Sequence, residues 1–314
     1  MSSKNHRHRF SCVASLGLND SRTKTRPPRL ITEGILDANV DASKPGSVRV
    51  ALWHEWQGML SDLRAVGPVW SMVRNSHSIL AVEDEYPALT FSTDQQAAHA
   101  RNPSASLTCH FRAWHRAAAF ESGCCCGRIY GFEIMNDADE TVHRVCLAEG
   151  AALEGFIEWT LMHQATGLEE DCAPTLAVDE GRFHPQAFRR HPGTLEVPVD
   201  RLRTALIHAA QREIPLVAGV TSEGATQTAR LDIQKASEAH GWLVLSGPAR
   251  SLYVNAEPTG TLLAEPAGHD GETTWQLSLI DPNDHRLLHV RGTADDRPAW
   301  NQLVREFVLC SSIP

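Results

Sequence analysis

Several groups along the chain carry donor atoms that can hold a metal or assist a reaction, and their spacing limits what each can do. Gly123-Cys-Cys-Cys-Gly127 offers three adjacent thiols. Thiolates are soft metal ligands, but a four-ligand zinc site takes spaced pairs such as C-x-x-C, and no second pair follows. The triplet falls between Phe120 and Tyr130, where a hairpin turn is expected, and reads as a turn with partly buried thiols. His110 and His115 flank Trp114 and, with Arg116, either edge a polar pocket or dress a sheet surface. From about Ala165 to Val199 the chain is rich in Asp, Glu, Pro, His and Arg. A connection of this kind either holds a binding site or only joins two folded units. The chain contains no nucleophile elbow G-x-S-x-G, no G-x-x-x-x-G-K-[ST] phosphate loop and no G-x-G-x-x-G, so hydrolase, nucleotide-binding and dehydrogenase readings have no support.

The elements that must position such groups are bounded by composition. The 314 residues are worth about two domains on a prior of roughly 150 residues each. With 42% hydrophobic and 21% charged residues the chain sits near the soluble globular average. Its formal charge of −9 sets up no global attraction for nucleic acid or an anionic membrane surface. No run approaches the roughly 20 apolar residues that span a bilayer, and the basic start lacks the apolar core of a secretory signal. Eight cysteines are too sparse for a disulfide scaffold. The expected setting is cytoplasmic, with reduced thiols.

Residues 1–46 lack periodicity and read as a mostly disordered extension. Trp53, Trp56, Met59, Leu60, Leu63 and Val66 recur at helical spacing and predict a helix with a core-facing stripe. Gly67 and Pro68 end it, and a strand over Val69–Val73 follows. The halves then repeat. Phe132–Val145 lies without a gap on Leu277–Val290, an offset of 145 residues, and each reads strand, polar turn, strand. Ser106-Leu107 matches Ser251-Leu252 at the same offset, and Pro68-Val69 matches Pro215-Leu216 at 147. Each half closes on an amphipathic helix, Leu153, Phe156, Ile157 and Trp159 in one, Trp300, Leu303, Val304 and Phe307 in the other. At an offset of 145, His143 falls one position from His289, which puts the two on opposite faces of their hairpins. Helix, antiparallel strands, helix, twice over, predicts an α+β protein. The expected organisation is an extension (1–46), a first repeat (47–164), a linker (165–199) and a second repeat (200–314).

The segment Trp56-Gln-Gly-Met-Leu-Ser-Asp-Leu-Arg-Ala-Val-Gly-Pro-Val-Trp-Ser-Met-Val-Arg-Asn75, then Asn102-Pro103 with Leu107, Phe111 and Trp114, then Phe132 to Leu147, resemble in order the motifs of the haemin-degrading factor family, the HmuS/HemS-type haem-handling proteins. A thinner match through Ile214–Val217, Gly241–Leu243, Ser251–Val254 and Gln276–Asp281 extends it over most of residues 48–314. The resemblance implies an internal duplication of two halves, each a large antiparallel β-sheet flanked by helices, the sheets stacked in a central saddle-like core. It implies haem b as ligand or substrate, a role in haem trafficking, iron transport and utilisation, and oxygen-dependent haem degradation if the protein is an enzyme. The partners it implies are haem, a reductase or a haem-accepting protein, with no nucleic acid and no membrane insertion; a homodimer is left open. The alternative is a non-enzymatic carrier, or a diverged binding module that keeps the duplicated fold without the haem site.

Haem needs an axial donor, cations for its propionates and an apolar wall. Three family positions differ here: Leu80 stands for a histidine, Thr108 for an arginine, and Glu223 for an arginine. The expected replacements lie in the linker. His184 is the favoured iron ligand, with His163 and His191 as alternatives; Phe188 would wall the porphyrin together with Phe183, and Arg189 and Arg190 would meet the propionates. The plain alternative is a solvated polar linker.

Overall fold

The structure, a computed structural model, describes residues 48–124, 127–165, 188, 190–268 and 273–309. The extension read over 1–46 and the residues Cys125 and Cys126 lie outside them. The first copy runs β1 (Val48–Leu52), α1 (Trp56–Asp62), β2 (Pro68–Arg74), β3 (Ser78–Glu85), β4 (Thr90–Phe91), β5 (Ala97–Asn102), β6 (Ala105–His110), β7 (Arg116–Cys124), β8 (Gly127–Met135), β9 (Thr141–Leu147) and α2 (Leu153–His163). The second repeats the order as β10 (Leu195–Val197), α3 (Asp200–Gln211), β11 (Leu216–Thr221), β12 (Ala225–Leu231), β13 (Lys235–Ala239), β14 (Trp242–Ser246), β15 (Arg250–Asn255), β16 (Thr261–Ala267), β17 (Thr274–Ile280), β18 (Arg286–Gly292) and α4 (Arg297–Val304). This is the duplicated α+β architecture. Its second copy opens with β10, inside the stretch read as linker.

The 145-residue offset holds down to the irregularities. Phe132 faces Val145 as Leu277 faces Val290, and the register slips between Ile134 and Met135 as it does between Leu279 and Ile280. His143 therefore corresponds to Leu288, and His289 sits one position on, facing the other way along its strand.

Among the described residues the strands form two nine-stranded sheets, β1-β7-β8-β9-β2-β3-β15-β14-β13 and β10-β16-β17-β18-β11-β12-β6-β5-β4. Exchanging each strand for its counterpart in the other copy turns one order into the other. Three strands of each copy, β4–β6 and β13–β15, thus complete the sheet begun by the other. The joining ladders are antiparallel, with Leu80 opposite Leu252 and Gln227 opposite Leu107.

These residues pack into two compact units, each with its own core. One comprises residues 48–71, 83–98 and 111–165. There α1 begins at Trp56, capped by the Glu55 carboxylate on the Gly58 amide at 2.8 Å. The helix predicted from Trp53 is shorter than expected. Trp53 precedes it and is exposed, and Leu63–Val66 tightens into a 3-10 turn. Gly67 at φ 90° then reverses the chain, a conformation only glycine adopts cheaply. Helix α2 buries Leu153, Phe156 and Trp159, whose Nε1 donates to the Met59 carbonyl at 2.9 Å and whose ring lies 5.1 Å from Phe132. The other unit comprises residues 72–82, 99–110 and 188–309. Among the described residues no helix is long and apolar enough to cross a membrane.

Asn75 pins the second unit. Its Nδ2 donates to the carbonyls of Thr221 (2.7 Å) and Leu287 (2.9 Å), while its Oδ1 accepts from the amides of His77 and Ser78. Asn75→Ala strands four backbone groups in a half-buried turn, so it is expected to cost about 2–3 kcal/mol in urea unfolding.

Candidate functional site

The sheet in the second unit has one apolar and one largely polar face, because side chains alternate along its strands. Leu216, Ala218, Leu277, Leu279, Leu288 and Val290 share the apolar face and are fully buried. Helix α4 covers it, with Trp300 packed over Gly292 and its Nε1 donating to the Trp275 carbonyl at 2.6 Å. The polar face consists of cross-strand rows. One row reads Glu196, Leu263, Ser278, His289, Gly219, Thr228, Ser106 across seven strands. Beside it run Glu265, Gln276, Arg291, Val217 and Arg230 on one side, and Thr221, Thr226 and Thr108 on the other.

His289 occupies the middle of this face. Its ring lies on Gly219, where an added methyl would fall 2.1 Å from Cε1 and 2.5 Å from Nε2. Only a residue without a side chain leaves room for it. The Nδ1 atom is buried without a hydrogen-bond partner. Burial above all, then the neighbouring Arg286 and Arg291, push the pKa down to about 3. The ring is therefore neutral at physiological pH, the form in which imidazole binds metals.

Next to it is a buried carboxylate. Glu265 Oε1 accepts from Ser278 Oγ (2.7 Å), Gln276 Nε2 (2.8 Å) and Arg286 Nη2 (2.8 Å). Burial lowers the Arg286 pKa, and the Glu265 charge opposes that shift. The Arg286 guanidinium stands 4.7 Å over the Phe188 ring, and the Phe188 amide donates to the Asp284 carbonyl at 2.7 Å. An aromatic, two guanidiniums and a neutral imidazole therefore share one half-buried surface. That set suits a flat ligand carrying anionic arms and a Lewis-acidic centre.

Of the residues expected from sequence, Phe188, Arg190 and His191 belong to this unit. Phe188 meets the polar face through Arg286. Arg190 forms an exposed pair with Glu196 at 3.7 Å, and Glu196 ends the row of His289. His191 is exposed and bonds through Nδ1 to the Pro192 carbonyl at 2.8 Å. His163 lies in the other unit, buried at the end of α2, with Nε2 bonded to the Asp62 carboxylate at 3.1 Å and its ring 5.2 Å from Trp159. His184 and Arg189 lie outside the described residues. Leu80 is fully buried opposite Leu252, and Thr108 is on the polar face. The sequence reading missed His289, Arg286 and Glu265. The signal available was the alternation Arg286, His289, Arg291 beside an apolar Leu288 and Val290.

The first copy carries different chemistry at the matching positions. At the same offset, Arg144 stands for His289, Glu133 for Ser278, Phe120 for Glu265, Gly131 for Gln276 and Thr141 for Arg286. Arg144 Nη2 donates to Glu133 at 2.6 Å with Phe120 5.4 Å beneath it, Arg49 pairs with the same carboxylate, and Thr141 Oγ1 donates to it at 3.2 Å. This face is closed by an ion-pair network.

The architecture matches solved structures over most of its length. Holo-PhuS, a heme-binding protein from Pseudomonas aeruginosa, aligns at a TM-score of 0.67 and 16% identity, over 82% of this chain and 86% of that one. ChuS, the heme degrading enzyme of Escherichia coli O157:H7, aligns at 0.67 and 14% over the same shares. A second structure of ChuS, an E. coli heme oxygenase, aligns at 0.66 and 12% over 85% of this chain and 89% of that one. The chain has their fold. No protein-family model and no curated protein sequence matches it.

The PhuS-like fold here stakes part of its stability on Glu265. Glu265→Ala removes the acceptor of Arg286 Nη2 and Ser278 Oγ and leaves Gln276 Nε2 only the Ser278 hydroxyl at 3.2 Å, and is expected to cost about 2–4 kcal/mol in urea unfolding. Glu238→Ala breaks only an exposed pair with Arg203 and should cost under about 1 kcal/mol.

Proposed function

We propose that the protein binds haem on the polar face of its second unit and serves haem trafficking and utilisation. The observation that carries this reading is the chemistry of that face, which matches the parts of a haem: Phe188 for the macrocycle, Arg286 and Arg291 for the propionates, half-buried threonine rows for the porphyrin edge. The buried Nδ1 of His289 without a partner, and the glycine floor that a methyl would fill, fit a group that brings its own metal centre. The shared fold supports the reading, since PhuS is a heme-binding protein and ChuS a heme oxygenase.

On this reading Arg190 releases Glu196 to meet a propionate, and His184, Arg189 and His191 stand as further linker contacts, with His184 as an axial donor. His163 is occupied by Asp62 and Trp159 and serves packing. Haem supplies the oxygen chemistry where degradation follows; the protein contributes orientation, polarity and water exclusion. A reductase or a haem-accepting protein is the corresponding partner, and the cytoplasm the corresponding setting.

Haemin titrated into the purified chain should give a saturable Soret change. Its absence would favour the diverged module without a haem site, a reading that rests on Leu80, Thr108 and Glu223. Arg190→Ala should weaken binding about threefold at low ionic strength and less at high salt, as an exposed charge does. Loss of bound haem under a reductant and oxygen would mark degradation; retention would mark a carrier.

A further inference from the structure

We infer that His289 is an iron ligand of the haem, and that the chain offers one such face, in the second copy alone. This rests on the haem-binding reading above and goes beyond it by naming the donor and the stoichiometry. His289 lies in a central row of the sheet, on β18 beside β11. Among the described residues, neither ring nitrogen makes a hydrogen bond or an ion pair. The ring is half-buried, and its Nδ1, buried without a partner, is costly; a leucine would fill the same place without that cost. Gly219 exists in the neighbouring strand as the only kind of residue that lets the ring lie down.

The environment favours coordination over other uses of the ring. The cations that act on the ring are Arg286 and Arg291. Glu265 is the carboxylate of the neighbouring row, and it is already engaged by Arg286, Gln276 and Ser278. It is not positioned as an acid–base partner for His289. The same two arginines supply positive charge where a dianionic porphyrin would bring negative charge.

The first copy has no equivalent donor. Arg144 fills the place of His289, and its guanidinium is committed to Glu133, which also holds Arg49. Met72 stands where Gly219 does, at the 147-residue offset that relates these strands. The position that is bare in the second copy carries a side chain in the first.

The test is a haemin titration of the full chain followed by absorbance and electron paramagnetic resonance, with circular dichroism as the folding control. The wild type should saturate at one haemin per chain. His289→Ala and His289→Gln should shift the Soret maximum and the ferric g-values and weaken binding at least tenfold, and added imidazole should restore the wild-type spectrum in His289→Ala. Gly219→Ala, which displaces the ring while keeping the histidine, should show the same spectral shift. If the wild type gives no saturable change, the haem reading fails and this inference with it. If the wild type binds but folded His289 and Gly219 variants keep its Soret position, g-values and affinity, His289 is not the ligand while the haem reading stands. Saturation at two haemins per chain would overturn the single-face part.

Discussion

Backbone hydrogen bonding between the copies is the constraint from which the rest follows. Neither copy closes its own sheet. The edge of β3 is completed by β15, and that of β12 by β6, so each nine-stranded sheet depends on residues more than a hundred positions apart. An open edge in the middle of a buried sheet would leave a row of amides and carbonyls unpaired. The registers show how the joint is held. Leu80 and Leu252 meet as two fully buried leucines, whereas Gln227 faces Leu107 and accepts from the Val73 amide at 3.2 Å. The two joints share geometry and differ in chemistry.

The same contrast governs the faces. Both copies bury a carboxylate in the sheet, Glu133 on β8 and Glu265 on β16, and both satisfy it with cations and hydroxyls. In the first, Glu133 is on β8 beside β9, and its demand is met by Arg144 from the next strand, with Arg49 and Thr141 assisting. In the second, Glu265 is one strand further from β18, and its demand is met by Arg286, Gln276 and Ser278. Moving the carboxylate by one strand frees the position equivalent to Arg144 from pairing duty. A histidine occupies it, kept neutral by burial first and then by Arg286, which the relocated carboxylate holds, and by Arg291. Where the charge is buried thus decides which copy has a vacant donor.

The duplication was legible in sequence because the β8–β9 and β17–β18 hairpins tie two strands to a short turn, and an insertion there would have broken the register of a buried pair. The common slip after Ile134 and Leu279 shows how tightly that spacing is held. The exchange of strands was not legible. Alternation along Ala105–His110 or Arg250–Asn255 says that a strand exists and which residues share a face, but its partner is set by contacts remote in the chain. The helix predicted from Trp53 came out short because periodicity cannot distinguish a tryptophan on the core stripe from one just ahead of the Glu55 cap. For the site, composition drew attention to the linker, and Phe188 and Arg190 do belong to the unit with the polar face. His289 stayed hidden because its meaning comes from Gly219, seventy residues earlier and visible as its floor only once β11 and β18 are paired.

Strand exchange has a further consequence. A single copy of this unit, as a separate chain, would have three strands to give and three to receive, and could close its sheets only against another molecule of itself, as a domain-swapped pair. In such a pair every side chain appears twice, so any binding face is doubled and any substitution strikes both sites together. Joining the copies in one polypeptide removes that obligation. Each half can then change alone, and Arg144 beside Glu133 in one half, with His289 beside Gly219 in the other, is what a fold freed from its symmetry can contain.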